Sequence, residues 1–333
     1  MVYPVRLFNL FRVISGYLFS RITGNIYNWG YPLAVNTEPT NRCNLHCPEC
    51  PAGRTELTRP AGFMDPERFR QVIDELTPFV NYLTLYFQGE PYLNPHFYEF
   101  IRYARSKKIY VSSSTNGHFL TPETAAETVR SGLNRLVISL DGTDPGSYQS
   151  YRTGGSFEKV IQGIETLAKI KKETGSAHPR IVIQFLVLKS NQHLIGEIRK
   201  LGKELGADKV EIKSAQFYNF EKGNPLMTDI DEYSRYERTG DERGTGTVYR
   251  IKSNLPRHCF RMWSSCVITW DGKVVPCCYD KDAQYEMGDI GRESFISIWK
   301  SEKYNGFRKK ILTSRETIDI CQNCSSGIKI SAV

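Results

Sequence analysis

The sequence predicts an α/β protein, an open or partial (β/α)6 barrel of the TIM type followed by a small cysteine-rich domain. Six short apolar segments alternate with five amphipathic ones between residues 33 and 215. Such alternation is typical of a parallel sheet with right-handed crossovers, and six units are too few to close an eightfold barrel. The rhythm stops near residue 216, and six of the nine cysteines lie beyond residue 258.

The first predicted element is an amphipathic helix over residues 5–23. One face carries apolar side chains at helical spacing, which are Leu7, Leu10, Phe11, Ile14 and Leu18; the opposite face carries Asn9, Arg12, Gly16 and Ser20. The segment is too short and too often charged to span a bilayer. We expect it to pack on the body of the protein. Peripheral contact with the inner face of a membrane is the alternative.

The barrel elements follow in order. Apolar runs bounded by turn residues predict strands over residues 33–40, 81–87, 109–115, 134–140, 180–188 and 209–215. Capping signals and a helical period predict helices over residues 65–76, 94–107, 121–132, 156–175 and 192–206. Asp65 as N-cap with Pro66 at the first helical position marks the first of these helices. The active site of such a barrel lies at the carboxyl ends of its strands.

Three cysteines follow the first strand in the stretch TNRCNLHCPEC, namely Cys43, Cys47 and Cys50. A structural zinc ion usually takes four ligands from paired motifs, and His46 would point away from its neighbour Cys47. A [4Fe–4S] cluster takes one thiolate on each iron, so three thiolates leave one iron open to a small molecule. The spacing therefore favours a cluster over zinc, at the mouth of the barrel.

A C-x3-C-x2-C motif after the first strand of a partial α/β barrel resembles the radical SAM superfamily. The resemblance extends over about residues 33–324. It implies that S-adenosylmethionine (SAM) binds the open iron and is reductively cleaved to a 5′-deoxyadenosyl radical, which removes a hydrogen atom from substrate. The family usually has an aromatic or large apolar residue against the adenine where this sequence has Glu49.

Polar residues at later strand ends match the SAM contacts of the family in order. Gln88, Gly89 and Glu90 resemble its Gly-Gly-Glu segment, and the Glu90 carboxylate suits the methionine ammonium. Arg152 resembles an arginine that often reaches the cofactor carboxylate or the substrate. The other implied contacts are Ser114, Thr115, Asn116, Ser139, Asp141 and Asn191. Plainer alternatives are turns at Thr-Asn-Gly and Asp-Gly, a helix cap at Asn191 and a surface role for Arg152.

The late cysteines form a second pattern. Cys259, Gly272 and Cys277 have the C-x12-G-x4-C spacing that is similar to SPASM and twitch domains, which carry auxiliary [4Fe–4S] clusters. An Asp-Gly turn predicts a hairpin between the two cysteines. With the C-x2-C pair Cys321 and Cys324, the resemblance implies one cluster ligated by four thiolates, and two clusters in the chain. A zinc ion on these thiolates is the alternative. Cys266 and Cys278 are spare.

These patterns divide the chain into four predicted parts. Residues 1–30 hold the N-terminal helix and residues 31–216 the barrel. Residues 217–257 form a polar, irregular connecting or lid segment, and residues 258–333 form the auxiliary cluster domain.

A fully ligated cluster accepts or passes an electron, so the resemblance implies a two-electron oxidation of a small polar substrate of carbinol, aminocyclitol or sugar type. Arg152 and Tyr233 are the candidate catalytic residues. The first alternative is modification of a ribosomal peptide by a thioether or carbon–carbon crosslink. The second is modification of a lipid-linked substrate at a membrane. An iron–sulfur carrier without chemistry of its own is the least favoured alternative.

The composition of the chain limits which classes of partner are expected. The chain has 333 residues, nine cysteines and a net charge of +8, without the Lys/Arg blocks of a nucleic-acid binder. An odd number of cysteines in a long chain without a signal-peptide pattern predicts a reducing cytoplasm. The expected partners are a small-molecule or peptide substrate and, by resemblance, a flavodoxin or ferredoxin as reductant.

Overall fold

A computed structural model describes residues 2–239, 247–326 and 328. Residues 240–246 of the predicted connecting segment and residues 327 and 329–333 of the predicted auxiliary domain lie outside the described residues.

Six parallel strands form the barrel wall and confirm the predicted fold class. They lie side by side in chain order and are Ala34–Thr37 (β1), Tyr82–Leu85 (β2), Tyr110–Thr115 (β3), Arg135–Ser139 (β4), Arg180–Val187 (β5) and Lys209–Ser214 (β6). Residues alternate between the two faces of a strand. On β2, Leu83 and Leu85 are fully buried under the helices, whereas Tyr82 and Thr84 face the barrel interior.

Helices connect successive strands and cover their outer face. These are Pro66–Leu76 (α2), Phe97–Ser106 (α3), Pro122–Arg130 (α4), Pro145–Gln149 (α5), Phe157–Glu173 (α6) and Ile195–Glu204 (α7). The predicted cap of α2 is confirmed, because the Asp65 carboxylate accepts hydrogen bonds from the backbone N–H groups of Glu67 and Arg68. The short helix α5 was not predicted. Its N-cap Asp144 accepts hydrogen bonds from Gly146 and Ser147.

The connecting segment contains a hairpin that sequence reasoning did not predict. Tyr236–Thr239 (β7) pairs antiparallel with Val248–Ile251 (β8), in register from Tyr236 opposite Ile251 to Thr239 opposite Val248. These strands form a two-stranded sheet apart from the barrel wall.

The C-terminal region extends the barrel sheet. Ser265–Ile268 (β9) pairs in parallel with β1, and Lys273–Val275 (β10) and Gly288–Asp289 (β11) continue the sheet antiparallel. The predicted Asp-Gly turn joins β9 to β10, and Gly272 adopts a φ of 94° there. The helices of this region are Arg261–Ser264 (α8), Phe295–Lys300 (α9), Glu302–Ser314 (α10) and Asp319–Gln322 (α11). Barrel and C-terminal region therefore share one nine-stranded sheet.

The N-terminal helix Val2–Thr23 (α1) packs through the face opposite to the predicted one. Its buried residues are Arg6, Asn9, Val13, Gly16, Tyr17 and Ser20. Of the apolar residues that were expected to pack on the body, Leu10 is half-buried and the other four are exposed, with Leu7 69% and Phe11 66% accessible. In the described part of the chain, no helix is long and apolar enough to cross a bilayer.

Hydrogen bonds explain this orientation of α1. The Arg6 guanidinium donates to the carbonyls of Thr77, Lys107 and Lys108, which lie at the C-terminal ends of α2 and α3. Carbonyls in the last turn of a helix have no partner within the helix and attract a cation. A Cβ added to Gly16 would lie 2.4 Å from the Tyr27 carbonyl oxygen, so this face also approaches backbone closely. The helix thus lies at the amino ends of the strands, opposite to the cysteine loop.

Candidate active site and cluster cavities

The first cysteine loop leaves the carboxyl end of β1 and enters α2. Its backbone is held by hydrogen bonds from His46 N to the Thr153 carbonyl (2.9 Å) and from Cys50 N to the Cys47 carbonyl (3.1 Å). The structure therefore positions all three predicted cluster ligands at the barrel mouth, as the spacing predicts.

Polar groups surround these thiols. Arg152 Nη1 lies 3.8 Å from Cys47 Sγ, and Asn116 Nδ2 lies 4.0 Å from Cys43 Sγ. Burial raises the pKa of Cys43 to about 11, and burial also raises the pKa of Cys47, which the Arg152 cation opposes. Since metal ligands must be deprotonated, a metal bound by these thiols would displace their protons.

Gly89 and Glu90 bring the second strand end against the cysteine loop. Gly89 has a φ of 73°, and a Cβ there would lie 2.5 Å from the Arg42 carbonyl oxygen and 2.6 Å from that of Thr40. Only glycine adopts this positive φ and also leaves room for the two carbonyl oxygens without strain. Gln88, before it, is buried and donates a hydrogen bond to the Phe87 carbonyl.

Glu90 is a buried acceptor that forms no direct ion pair among the described residues, and the Arg152 cation near it opposes the rise of its pKa. Its carboxylate accepts hydrogen bonds from Thr115 Oγ1 (2.8 Å), Asn116 N (2.7 Å) and Tyr92 N (3.2 Å). Burial raises the pKa of Glu90 to about 7, and these hydrogen bonds oppose the rise. A buried carboxylate of this kind suits an ammonium ligand, which would supply the missing positive charge.

Asp141 and Arg152 form a buried ion pair beside the cysteine loop. Arg152 Nε donates to Asp141 Oδ2 at 2.6 Å, and Asp141 Oδ1 accepts a hydrogen bond from Leu186 N at 2.7 Å. Asp141 fixes the guanidinium, so its Nη atoms are directed towards Cys47. Ser114 and Ser139 line the same space from β3 and β4.

Two predicted site residues, Asn191 and Tyr233, do not line the mouth. Asn191 Nδ2 donates to the carbonyls of Asp141 and Leu186, and Asn191 Oδ1 accepts a hydrogen bond from Leu188 N, so backbone groups occupy this amide. Tyr233 packs at the edge of the main hydrophobic core and is not among the described residues that line the mouth.

A cavity of about 400 Å³ opens at the barrel mouth. Its walls carry Cys47, Cys50, three strand-end polar residues (Gln88, Ser114 and Ser139) and four cations, which are Arg135, Arg152, Arg235 and Lys281. Sequence reasoning missed Tyr86, Arg235 and Lys281. For Tyr86 a signal existed, because Tyr82, Thr84, Tyr86 and Gln88 alternate with Leu83, Leu85 and Phe87. Arg235 and Lys281 carry no such local signal.

Glu49, where the family usually has an apolar residue, ties the cysteine loop to the connecting segment. Its Oε1 accepts a hydrogen bond from Asn224 Nδ2 at 3.0 Å. The segment around Asn224 therefore covers one side of the mouth.

The second set of cysteines lines another cavity. Cys259, Cys277, Cys321 and Cys324 contribute to the wall of a space of about 260 Å³ between α8, α10 and α11. Arg315 Nη2 lies 3.5 Å from Cys324 Sγ, a favourable neighbour for an anionic thiolate cluster. Four thiols around one enclosed space fit a cluster. Among the described residues, no three His, Cys, Asp or Glu side chains converge tightly enough to form a single-ion site.

The two spare cysteines lie outside this cavity. Cys266 is buried in the main core on β9, and burial raises the pKa of its thiol far above the ordinary range. Cys278 packs with Phe87 and Val275, and its Sγ lies 3.4 Å from Arg261 Nη1.

Two sequence comparisons identify the family. Residues 37–187 match the radical SAM superfamily, and residues 259–325 match SPASM, an iron–sulfur cluster-binding domain. The chain belongs to the radical SAM superfamily. SAM and [4Fe–4S] clusters are accordingly the cofactors of this radical SAM enzyme, and its donor sets fit them.

Several curated relatives resemble this radical SAM enzyme over most of both chains. A tungsten-containing aldehyde ferredoxin oxidoreductase cofactor-modifying protein from Pyrococcus furiosus is 27% identical and covers 86% of each chain. An AdoMet-dependent heme synthase from Methanosarcina barkeri is 27% identical over 84% of each chain. A PqqA peptide cyclase from Bradyrhizobium diazoefficiens is 26% identical over 84% of this chain and 76% of its own.

Solved structures share the fold of this radical SAM enzyme. Streptococcus suis SuiB bound to S-adenosylmethionine aligns with a TM-score of 0.66 at 13% identity, covering 95% of this chain and 77% of SuiB. BtrN in complex with AdoMet and 2-DOIA aligns with a TM-score of 0.55 at 20% identity, covering 88% and 93%.

Proposed function

We propose that this radical SAM enzyme oxidises a small polar substrate, of carbinol, aminocyclitol or sugar type, by two electrons. The observation that carries the proposal is the second cavity with four cysteines, because a cluster with four protein thiolates has no open iron for substrate. When bound, SAM and the first cluster supply the radical that removes hydrogen, and the auxiliary cluster supplies a place for the second electron.

The overall change in the substrate balances. The carbinol would become a carbonyl: its C–H hydrogen atom and one electron would go to the bound cofactors, and its hydroxyl proton would go to water. We propose that Cys43, Cys47 and Cys50 hold the first cluster, and that Cys259, Cys277, Cys321 and Cys324 hold the second.

The chain's own residues position the cofactor in this proposal. Glu90 binds the methionine ammonium, while Ser114, Thr115, Asn116 and Ser139 contribute polar contacts from the neighbouring strand ends. Arg152, held by Asp141, binds the methionine carboxylate or an oxygen of the substrate. Asn191 acts on the cofactor indirectly, by holding the backbone at Asp141 and Leu186. Tyr233 does not line the mouth cavity, and its catalytic role stays a prediction.

The test combines iron analysis with isotope transfer. Anaerobic reconstitution is expected to give about eight irons per chain, the content of two cubes. Incubation with reductant, SAM and polyols or aminocyclitols deuterated at their carbinol carbons is expected to give deuterated 5′-deoxyadenosine and a ketone about 3 Da lighter than the deuterated substrate, the mass of one deuterium and one hydrogen. About four irons, or release of undeuterated 5′-deoxyadenosine with every such substrate, contradicts the proposal.

Peptide modification is the second candidate, and a third cavity favours it. A space of about 440 Å³ adjoins the mouth, shares Gln216 and Lys281 with it, and runs between Pro51, Tyr218 and Asn323. The two spaces together offer room for an extended chain. Deuterium transfer from a perdeuterated peptide, with none from polyols, would establish this candidate over the first.

We also propose that α1 seats the enzyme on the inner face of a membrane with anionic lipids. Large apolar side chains exposed on this helix are Val5, Leu7, Phe8, Phe11, Ile14, Leu18, Phe19 and Ile22. The exposed cations Arg12 and Arg21 accompany them, which is the composition of an interfacial helix that binds anionic headgroups. Because α1 lies opposite to the cysteine loop, binding of α1 to the bilayer would hold the enzyme at the membrane and leave the mouth facing the cytoplasm.

Vesicle flotation tests this contact. The intact chain is expected to float with phosphatidylglycerol-containing vesicles and to sediment with pure phosphatidylcholine. Replacing Leu7, Phe11 and Ile22 together by serine should abolish flotation, while Val248→Ser, an exposed apolar residue elsewhere, should leave it unchanged. Equal flotation of the triple variant and the intact chain would remove the proposal.

A further inference from the structure

Four cations line the mouth cavity, and two of them have carboxylate partners of their own. Arg152 pairs with Asp141, and Arg135 Nη2 lies 2.9 Å from Glu211 Oε2. In the described residues, the other two cations, Arg235 and Lys281, form no ion pair with any carboxylate. A partly buried cation without a carboxylate partner is costly, so these two point to an anionic ligand.

Arg235 is held by neutral groups only. Its Nε donates to the Ser214 carbonyl at 3.2 Å, and its Nη1 lies 3.4 Å from the Tyr279 hydroxyl. These contacts join the end of β6 to the C-terminal region and fix the guanidinium at the cavity wall. Its remaining N–H donors are available to a ligand, because a guanidinium carries five.

Lys281 reaches the same cavity from the C-terminal region. The Arg59 Nε donates to its carbonyl at 3.1 Å, which fixes its backbone, and its Nζ lies 5.1 Å from the centre of the Tyr218 ring. Burial lowers the pKa of Lys281; the thiols of Cys50 and Cys278 oppose this, and the nearby Arg235 cation adds to it. The two cations therefore lie close enough to repel each other, and an anion between them would relieve that repulsion.

An independent feature lies beside them. Ser214, which is 4% exposed, lines the cavity, and its Oγ has no hydrogen-bond partner among the described residues. Buried hydroxyls are normally hydrogen-bonded, so an unpartnered one at a cavity wall indicates a polar ligand. Ser214 is the last residue of β6, and its own carbonyl accepts the hydrogen bond from Arg235 Nε.

We propose that Arg235, Lys281 and Ser214 form a carboxylate-binding site that orients the substrate in the mouth cavity. This inference rests on the proposed function, in which the cavity binds the substrate. It adds that the substrate is a carboxylic acid. The planar guanidinium of Arg235 donates two N–H hydrogen bonds to a carboxylate. The Lys281 ammonium adds a third contact, and the Ser214 hydroxyl adds a fourth. An acid group anchored at this wall keeps the rest of the molecule directed towards the cysteine loop.

In the proposed function the methionine carboxylate of SAM binds Arg152 and its ammonium binds Glu90. Arg152 and Glu90 stand beside the first cysteine loop, with Arg152 Nη1 3.8 Å from Cys47 Sγ. Arg235 and Lys281 come from the connecting segment and the C-terminal region, which follow the barrel in the chain, and they line the cavity together with Ser214. The carboxylate that they bind therefore belongs to the substrate.

Calorimetric titration of the reconstituted, SAM-loaded enzyme with succinate tests the site, with succinamide as the uncharged counterpart. Succinate is expected to bind and succinamide is not. Arg235→Gln and Lys281→Met should each weaken succinate binding about tenfold or more, the usual loss for a charge-assisted hydrogen bond. Lys169→Met, at an exposed lysine remote from the cavity, should leave binding unchanged. If Arg235→Gln fails to fold, Arg235→Lys should fold and bind succinate less tightly than the wild type.

Three outcomes would overturn the site. Succinate and succinamide could bind equally, or the two variants could bind succinate as the wild type does. The variants could also weaken SAM binding as much as succinate binding, which would assign the cations to the cofactor. Iron content and 5′-deoxyadenosine formation are measured on the same samples. Normal values beside a failed anion titration would refute this site alone and leave the oxidation unaffected.

Discussion

Replacing Arg59 by methionine should destabilise the protein strongly, because it strands a buried carboxylate. Arg59 donates to both carboxylate oxygens of Glu38, at 2.5 and 2.6 Å, and the two side chains are 3% and 0% exposed. Glu38 follows β1 directly and also accepts a hydrogen bond from Trp270 N in the β9–β10 turn. After the substitution, Trp270 N is its one remaining donor among the described residues.

The expected loss can be estimated from these contacts. Removing one partner of a buried ion pair costs about 3–5 kcal/mol, because the other charge stays buried and unpaired. With an unfolding entropy of roughly 2.1 cal/mol/K per residue, a chain of 333 residues loses about 1.4 °C for each kcal/mol. Arg59→Met should therefore lower the midpoint of thermal unfolding by about 4–7 °C at pH 8.

The pH dependence of this loss has a definite sign. Burial raises the pKa of Glu38, and Arg59 opposes that rise, so the variant has a still higher pKa in the folded state. A carboxyl group whose folded pKa exceeds its unfolded value destabilises the fold above that pKa and ceases to do so once protonated. The deficit of the variant relative to the wild type should therefore shrink as the pH falls from 8 to 6.

The assay is circular dichroism of anaerobically purified protein during heating. The double variant Glu38→Leu and Arg59→Met is the matched control, because an apolar pair leaves no stranded charge and should recover much of the loss. An unchanged midpoint for Arg59→Met, or a double variant less stable than the single one, would refute the reasoning.

Three further predictions concern the cofactor sites. Cys321→Ala should lower iron from about eight to about four per chain while 5′-deoxyadenosine formation persists, because the first cysteine loop is untouched. SAM affinity should fall by up to about tenfold per pH unit below pH 7, since Glu90, whose burial raises its pKa to about 7, then becomes neutral and loses its attraction for the ammonium. Gly89→Ala should reduce bound iron and lower the unfolding midpoint, because its Cβ would meet the Arg42 and Thr40 carbonyls.

Each of these has its own control. Cys266→Ala should keep full iron content, and loss of iron there would contradict the assignment of Cys266 as spare. Glu90→Gln should bind SAM weakly at every pH; a persisting pH slope would assign the titration to another group. Gly175→Ala shares the positive φ of Gly89 but has open space around its Cβ, so it should retain iron. Equal effects of the two substitutions would mean that the positive φ, and not contact of the Cβ with the carbonyls, causes the loss.

Local spacing was sufficient to predict most of the barrel and the first loop. The alternation of strands and helices, the cap at Asp65 and the C-x3-C-x2-C motif each involve residues near one another in the chain. Parallel strands bring their carboxyl ends to one edge, so Glu90, Asn116 and Asp141 meet there without further information. The sequence alone therefore determined the fold class and the surroundings of the first cluster.

Only the tertiary structure decided the rest, because it depends on contacts between distant segments. Helix periodicity shows two faces of α1 but not which one meets the protein; the carbonyls of Thr77 and Lys107, which bind Arg6, decide that. The parallel pairing of β9 with β1 carries the C-terminal region onto the barrel sheet. That docking, through contacts some two hundred residues apart in sequence, brings Lys281 to the mouth beside Arg235.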